Sequence, residues 1–213
     1  MTRPGDDAGD PPPVVRVGAS PDPEVVRRVA EALERGDVAV IPTDTVYGVA
    51  AAPSVVGATA RLYALKRRRP DVPLAVLVAE PADLGEVATG IGPEVRDLVG
   101  RHWPGPLTVV ARRHPDAAGW DLGGDPTTIG VRCPDHPLVR AVAARVGPVA
   151  TTSANRHGEP TPATAEVAAA SLDGPVAVIV DGGRLAGEPS TVVDTVASPW
   201  RILRRGGVVV DPG

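Results

Sequence analysis

Aromatic side chains are almost absent from this chain of 213 residues: Phe, Trp and Tyr together make up 2%, and there is no Phe at all. Because 43% of the residues are still hydrophobic, Val, Leu, Ile and Ala must fill the core, which suits a sheet covered by Ala-rich helices. The shortage of aromatic rings also argues against a protein that recognises RNA by stacking on its bases.

Cysteine, long apolar runs and excess positive charge are scarce as well. The single cysteine, Cys133, excludes an intramolecular disulfide and predicts a reducing compartment. No run of 18 apolar residues and no basic-then-apolar leader exists, which predicts a soluble, cytoplasmic protein. The net charge of −4 argues against a protein that coats nucleic acid by bulk charge, although it is compatible with a local basic groove. Cys133 and His136 offer two ligands at most, so no metal held by protein side chains is predicted.

Short apolar runs alternate with amphipathic segments along most of the chain. Helices are predicted over residues 21–35, 55–67, 94–103, 137–146 and 164–172, and strands over 37–41, 74–78, 107–111, 128–132, 149–152, 176–180, 191–196 and 201–203. This order predicts an α/β sheet, and the consecutive strands near 108 and 191 predict antiparallel pairs within it. Residues 1–20, rich in Asp, Pro and Gly, are predicted to be a mostly disordered tail before one domain over residues 21–213.

Small polar side chains follow the first predicted strand, in the segment 41–48, Ile-Pro-Thr-Asp-Thr-Val-Tyr-Gly. Pro42 ends the strand because it has no amide for further pairing. The hydroxyl and carboxyl groups that follow belong to Thr43, Asp44, Thr45 and Tyr47. The end of an apolar strand is where an α/β sheet usually holds its ligand crevice. A capped turn in which Asp44 or Thr45 begins a helix is the alternative, and Asp44 is also a candidate to orient a base or to hold magnesium through water.

Lys66 is the only lysine, and it opens the basic run 66–69 at the end of a predicted helix. The helix dipole favours cations there, so a solvated helix end is one interpretation. A mobile ammonium group is also well suited to phosphate oxygens, and four adjacent cations repel one another unless an anion lies among them. A bound polyphosphate is therefore the second interpretation.

Other predicted strands also begin or end in small polar or cationic side chains. Residues 104–106, Pro-Gly-Pro, fix a rigid corner, and Thr108 and Arg112, four residues apart on the following strand, are predicted to point to the same face. Similar strand ends occur in the segments 149–155, 189–194 and 202–206. Brought together, such ends make a crevice that can hydrogen-bond a small polar ligand while arginines hold its anionic parts.

Six of these segments together resemble the YrdC family, the threonylcarbamoyl-adenylate synthases of tRNA modification. They are Ile-Pro-Thr-Asp-Thr-Val-Tyr-Gly at 41–48, lysine-x-arginine at 66–68, Trp-Pro-Gly-Pro-Leu-Thr at 103–108, Ser-Ala-Asn at 153–155, Ser-Thr-Val-Val-Asp at 190–194 and Leu-Arg-Arg-Gly at 203–206. The resemblance covers residues 22–207 and implies a single YrdC-like domain, with a twisted, mixed parallel and antiparallel sheet and helices on both faces. The chain resembles the short members of the family, without an extra C-terminal domain. The absence of a GxxxxGK[ST] loop also suits the family.

The resemblance implies an enzyme, a nucleotidyltransferase that uses ATP with Mg²⁺. It would convert L-threonine, bicarbonate or CO₂, and ATP into threonylcarbamoyl-AMP and pyrophosphate. The implied catalytic residues are Lys66 and Arg68. The implied ATP-binding residues are Lys66, Arg68, Thr108, Ser153, Asn155, Thr161 and Arg205. The implied threonine-binding residues are Thr43, Tyr47, Arg112, Thr151 and Thr191. Because carbamates decompose in water, the segment after Lys66 is expected to act as a lid.

The implied partner is a downstream tRNA threonylcarbamoyl transferase complex, with direct contact to tRNA or double-stranded RNA left open and no membrane partner. The sequence departs from the family after the lysine-x-arginine motif. Arg69 stands where proline is common, and Val72 stands where a Lys, His or Asn is common. Arg69 is a candidate to replace the missing polar contact. Two alternatives from other classes are an RNA-binding module and a nucleotide-binding paralogue without catalysis.

Overall fold

The computed structural model describes residues 14–211 except 19, 157 and 186. Within that part of the chain the helices are α1 (Pro23–Glu34), α2 (Ala58–Lys66), α3 (Leu84–Val87), α4 (Pro93–His102), α5 (Pro137–Val146) and α6 (Ala165–Ala170). The strands are β1 (Val14–Arg16), β2 (Ala39–Ile41), β3 (Gly48–Ala51), β4 (Ala75–Leu77), β5 (Ala88–Thr89), β6 (Leu107–Arg113), β7 (Thr128–Arg132), β8 (Val149–Ser153), β9 (Val178–Asp181), β10 (Thr191–Asp194) and β11 (Arg201–Arg204). No helix in these described ranges is both long enough and apolar enough to span a bilayer.

All of these strands join one sheet in the order β1-β9-β2-β3-β8-β4-β7-β6-β10-β11, and β5 pairs with β6 at the side. Parallel pairs are β1 with β9, β2 with β9, β4 with β7, and β6 with β10. The remaining neighbours are antiparallel. The mixed sheet is thereby confirmed. The antiparallel pairs expected near 108 and 191 are β6 with β7 and β10 with β11.

Helices cover both faces of the sheet. Successive residues of a strand point to opposite faces, so each strand contributes side chains to two cores. In β2, Val40 packs into a core with α2, α4 and α6, whereas Ala39 and Ile41 pack into a second core with α1 and α5. Strands buried on both faces read as continuous apolar runs, and this is why the sequence shows such runs without alternation.

Two segments differ from the sequence prediction. Val14–Arg16, within the predicted tail, forms β1 at the edge of the sheet, since its backbone pairs with β9 and Val15 packs against the core under α1. The rest of the predicted tail, residues 1–13, lies outside the described residues. The segment 41–48 leads into β3, antiparallel to β2, and not into a helix, so the helix-start alternative is wrong.

Gly48 is required where β3 begins. A Cβ atom there would lie 2.9 Å from Thr151 Oγ1 on β8, closer than side chains normally approach. Gly48 is the first residue of β3, so the need for glycine comes from the close approach of β8. The close approach brings the polar segment 43–47 beside the end of β8.

Candidate active site

A cavity of about 340 Å³ lies on one face of the sheet. Alternate residues of six neighbouring strands line it: Gly48 of β3, Thr151 and Ser153 of β8, Ala75 and Leu77 of β4, Gly130 and Arg132 of β7, Thr108 and Val110 of β6, and Val192 of β10. The cavity lies on the same face of the sheet as α1 and α5. Leu77 shows this, because it lines the cavity and also packs into the core beneath these two helices. Glycine and alanine on three central strands leave this space unfilled.

Five of the residues that the sequence assigned to ATP or threonine line this cavity. They are Thr43, Arg68, Thr108, Thr151 and Ser153. They come from four segments separated by up to about a hundred residues in the sequence. The sheet order therefore brings together the strand ends that the sequence predicts to form a crevice.

Lys66 lies against the cavity wall and is 1% exposed. Its Nζ donates a hydrogen bond to the carbonyl oxygen of Ser153 and lies 3.5 Å from Thr152 Oγ1. Within the described ranges no carboxylate pairs with it. Burial, together with the charge of Arg68, lowers the pKa of Lys66 to about 7. A buried ammonium group held only by neutral acceptors is stabilised by an anion that comes to lie beside it.

Four arginines, Arg68, Arg113, Arg132 and Arg204, line the same cavity. Burial lowers the pKa of Arg68, and burial together with the charges of Arg132 and Arg68 lowers that of Arg204. The carbonyl oxygens of Val72 and Pro73 accept hydrogen bonds from Arg68, at 3.2 and 2.9 Å. We refer to Lys66, Arg68, Arg132 and Arg204 as the cationic cluster. Its members raise one another's electrostatic energy, so the cavity attracts anions.

Arg132 was not singled out from the sequence, yet it connects two of the motifs, 41–48 and 103–108. Its Nη2 contacts Asp44 Oδ1 at 2.5 Å, and its Nη1 donates to Thr45 Oγ1 at 2.9 Å. Its Nε donates to the carbonyl oxygen of Gly105 at 3.0 Å. The available signal was an arginine within the apolar strand 128–132. The second carboxylate oxygen of Asp44 is buried and accepts no hydrogen bond from any described residue.

In the segments around β10 and β11, the neighbours of two predicted binding residues line the cavity. Ser190 and Arg204 line the cavity, whereas Thr191 and Arg205 do not. Thr191 points to the other face of β10, where its Oγ1 donates to the carbonyl oxygen of Val208 at 2.6 Å. Its buried hydroxyl fixes the chain after β11. Arg204 Nη2 instead donates to Ser190 Oγ at 3.0 Å, and Ser190 Oγ lies 2.8 Å from Thr108 Oγ1.

Tyr47, which the sequence assigned to threonine, uses its hydroxyl group within the protein. It is fully buried and outside the cavity, and its hydroxyl donates to the carbonyl oxygen of Gly183 at 2.6 Å and accepts from the amide of Gly182 at 3.0 Å. Thr43 also forms an internal hydrogen bond, which its Oγ1 donates to the carbonyl oxygen of Val46 at 2.7 Å. Unlike Tyr47, however, Thr43 lines the cavity. Both hydroxyl groups hold the segment 43–47 in its turn.

Arg112 and Arg113 occupy different surroundings. Arg112 is exposed, does not line the cavity and makes no side-chain hydrogen bond or ion pair within the described part of the chain. It nevertheless shares a strand face with Thr108 and Val110, which line the cavity. Arg113 lines the cavity, but its guanidinium group donates to the carbonyl oxygens of Thr128 and Trp120, at 3.2 and 3.0 Å.

Asn155 and Thr161 lie beyond the end of β8 and outside the cavity lining. Asn155 is 8% exposed and its Nδ2 donates to the carbonyl oxygens of Arg156 and Glu159, at 2.9 and 2.7 Å. Its Oδ1 is buried and has no hydrogen-bond partner among the described residues. Thr161 is half-buried. The described ranges contain no group of three His, Cys, Asp or Glu side chains that could hold a metal ion.

The fold and the site define an α/β protein with a cation-lined cavity on one face of a mixed sheet. The family model for Sua5, YciO and YrdC, described as "Telomere recombination", matches residues 31–206. The chain therefore belongs to the Sua5/YciO/YrdC family, as the sequence motifs predicted.

Three known proteins illustrate the similarity. The threonylcarbamoyl-AMP synthase of Bacillus subtilis is 38% identical over 190 residues, which are 88% of this chain and 54% of the relative. The threonylcarbamoyl-AMP synthase of Chromohalobacter salexigens is 36% identical over 177 residues, 80% of this chain and 94% of the relative. The crystal structure of Pyrococcus abyssi Sua5 complexed with L-threonine superposes with a TM-score of 0.82 at 32% identity, over 91% of this chain and 57% of that one. The chain thus spans little more than half of the first and third proteins.

Proposed function

We propose that this protein is an L-threonylcarbamoyladenylate synthase, a nucleotidyltransferase. The threonine amine reacts with bicarbonate or CO₂ to give a carbamate. A carbamate oxygen then attacks the α-phosphorus of ATP, and pyrophosphate leaves. The observation that carries the proposal is the cationic cluster, in which buried Lys66 has only neutral hydrogen-bond acceptors among the described residues.

The triphosphate is the anion that fits this cluster. Phosphoryl transfer depends mainly on positioning and on neutralising charge. Arg68 and Arg204 line the cavity, and Lys66 Nζ is bonded to the carbonyl oxygen of Ser153, which also lines it. Arg204 takes the role that the sequence assigned to Arg205. Mg²⁺ enters as part of the MgATP substrate, held mainly by phosphate oxygens, which suits a site with few carboxylates.

Neutral hydrogen-bonding groups are proposed to hold the rest of the nucleotide. Thr108 and Ser153 line the cavity, and the unpartnered Oδ1 of Asn155 is an acceptor close to the end of the same strand. A buried acceptor without a partner is unfavourable, so a ligand that donates to it gains free energy. Thr161 completes this set at the end of the loop.

Threonine is proposed to bind beside Thr43, Thr151 and Ser190, whose hydroxyl-bearing side chains line the cavity. Ser190 takes the role that the sequence assigned to Thr191. The threonine carboxylate requires a cation that is not already paired within the protein. Arg112 meets this requirement, because its side chain is exposed and makes no hydrogen bond or ion pair within the described ranges. The Pyrococcus abyssi Sua5 structure is a complex with L-threonine, and this supports threonine as the substrate.

Residues 67–73 are proposed to exclude water from the carbamate. Val72 and Pro73 form one wall of the cavity. The segment is held by Tyr63, whose hydroxyl donates to the carbonyl oxygens of Leu122 and Val72, at 2.7 and 3.1 Å. It is also held by the ion pair of Arg67 with Asp173 and by the amide of Gly124, which donates to the carbonyl oxygen of Pro70 at 3.0 Å, and these contacts must break for it to open for substrate entry. The product would then pass to a tRNA threonylcarbamoyl transferase complex in the cytoplasm.

Pyrophosphate release from ATP tests this function. The purified protein is incubated with MgATP and bicarbonate, with and without L-threonine, and L-serine serves as the control amino acid. We expect release that depends on threonine and is lost in Lys66→Met. Release that is equal with and without threonine would contradict the proposal, and so would RNA binding without any ATP turnover.

A further inference from the structure

The two segments proposed to hold ATP, 66–68 and 153–155, meet at one carboxylate outside both of them. Asp173 lies shortly after α6, and its Oδ1 accepts a hydrogen bond from Arg156 Nη2 at 2.5 Å. Its Oδ2 forms an ion pair with Arg67 Nε. Arg67 is the centre of the lysine-x-arginine motif, and Arg156 directly follows the Ser-Ala-Asn motif. One side chain therefore bridges two motifs that lie almost ninety residues apart.

Backbone contacts around Asp173 reinforce this bridge. The amide of Asp173 donates to the carbonyl oxygen of Leu65 at 2.8 Å, at the end of α2. Ser171 Oγ, in the same turn, donates to the carbonyl oxygen of Ala154 at 2.8 Å. The turn after α6 is thereby attached to both segments. The Asp173 side chain is 21% exposed, so its ion pairs are partly shielded from water.

The backbone of Arg67 indicates why the bridge is needed. Its φ is 49°, and it is the one non-glycine residue with positive φ in the described ranges. A side chain disfavours this left-handed conformation, which ends α2 and directs Lys66 and Arg68 into the cavity wall. A contact that holds the Arg67 side chain therefore stabilises the conformation on which both cations depend.

We propose that Asp173 is a positioning residue for ATP. It holds Arg67 and Arg156 together, and through them it keeps Lys66 and Arg68 beside Ser153 and Asn155. The inference rests on the proposed function for its ligand. Asp173 does not line the cavity, so it acts on ATP through its two arginine partners. Neither Arg67 nor Arg156 is proposed to contact threonine, so we expect threonine binding not to depend on Asp173.

The test compares Asp173→Asn with a matched control, Asp37→Asn. Asp37 lines the same surface cavity as Asp173 and pairs with Arg61 at 3.1 Å, but it contacts neither ATP segment. We expect Asp173→Asn to raise KM for ATP about tenfold, because small displacements of positioning groups have large effects, while KM for threonine changes less than twofold. Asp37→Asn should leave both constants within twofold of the wild-type values.

Direct ATP binding, measured by calorimetry without turnover, separates failure of this inference from failure of the proposed function. A wild-type protein that binds ATP but releases no pyrophosphate would refute the proposed function and still allow the comparison of variants. An unchanged ATP affinity in Asp173→Asn would overturn the inference. So would an equal rise in KM for ATP and for threonine, since this would indicate general disruption.

A second variant covers the case in which Asp173→Asn is too unstable to assay. Arg67→Gln removes one ion pair but keeps a side chain at the left-handed position, and the fold is retained because the Arg67 side chain is 75% exposed. Combined with Arg156→Gln, it removes both partners of Asp173 while the carboxylate stays. We expect the double variant to weaken ATP binding about tenfold as well, by the same displacement. Wild-type ATP affinity in the double variant would overturn the inference.

Discussion

Proton uptake on ATP binding is the most specific consequence of the buried lysine. The pKa of Lys66 is lowered to about 7 from an ordinary value of 10.5. At pH 8, one unit above that pKa, about nine-tenths of the Lys66 side chains are neutral in the free protein. A triphosphate beside Nζ favours the ammonium form and raises the pKa again. Binding of ATP at pH 8 should therefore take up about 0.9 protons per site, if the pKa returns close to its ordinary value.

The sign of the pH dependence follows from the same reasoning. Because the bound state holds more protons than the free state, raising the pH above 7 weakens binding. The dissociation constant for MgATP should rise up to about tenfold per pH unit between 7 and 9. Calorimetric titrations at pH 8, in two buffers with different ionisation enthalpies, measure the uptake directly. Lys66→Met is the control, and in it the uptake should disappear. Uptake of the same size in Lys66→Met, or none in the wild-type protein, would refute the assignment of Lys66 to the phosphates.

Three further substitutions test other parts of the site. Gly48→Ala should lower stability by about 1–3 kcal/mol in urea unfolding, because its Cβ would lie 2.9 Å from a threonine hydroxyl on β8, whereas Gly85→Ala has open space and should be close to neutral. Arg112→Ala should raise KM for threonine at least tenfold with Tm unchanged, whereas Arg113→Ala should lower Tm, since only Arg113 is bonded within the described protein. The reverse pattern would remove Arg112 from the threonine site. Arg132→Met leaves a buried carboxylate without its partner and should cost about 3–5 kcal/mol of stability, and wild-type stability would contradict its connecting role.

Local signals in the sequence were sufficient for the elements with clear boundaries. Residues 128–132 and 137–146 were predicted with the bounds that the structure has. The helix over 137–146 has a proline at its first position and ends just before Gly147, whose φ is 81°. The polar segment 41–48 was also located correctly, because Pro42 marks the end of β2. In these places the residues that begin and end an element are themselves distinctive.

The orientation of side chains around the cavity could not be predicted in the same way. Ser190 and Thr191 are neighbours, and a shift of one residue in a strand moves a side chain to the opposite face. The run Thr-Val-Val-Asp is apolar on both faces, so the sequence contained no alternation from which to choose between them. Arg204 ends β11 and Arg205 follows it, and the same ambiguity applies to them. The register of β10 with β6 places Val192 on the same face as Thr108, and the pairing of Val192 with Arg204 places Arg204 on that face.

Residues that act through long-range contacts were also beyond the sequence. Arg132 joins β7 to the segment 43–45 and to the Pro-Gly-Pro corner, and nothing in its local sequence indicates these partners. The strand β3, Gly-Val-Ala-Ala, is too short and has side chains too small to give a periodic pattern. Its position between β2 and β8 depends on the whole sheet. Such features are determined by tertiary packing and not by local propensity.

The most direct test of the account is the identity of the product. The protein is incubated with L-threonine, MgATP and isotopically labelled bicarbonate, and the nucleotides are separated and analysed by mass spectrometry. The account predicts an adenylate that contains threonine and one labelled carbon, formed in equal amount to pyrophosphate. Formation of unlabelled AMP or ADP alone, with no adenylate that carries the label, would contradict it.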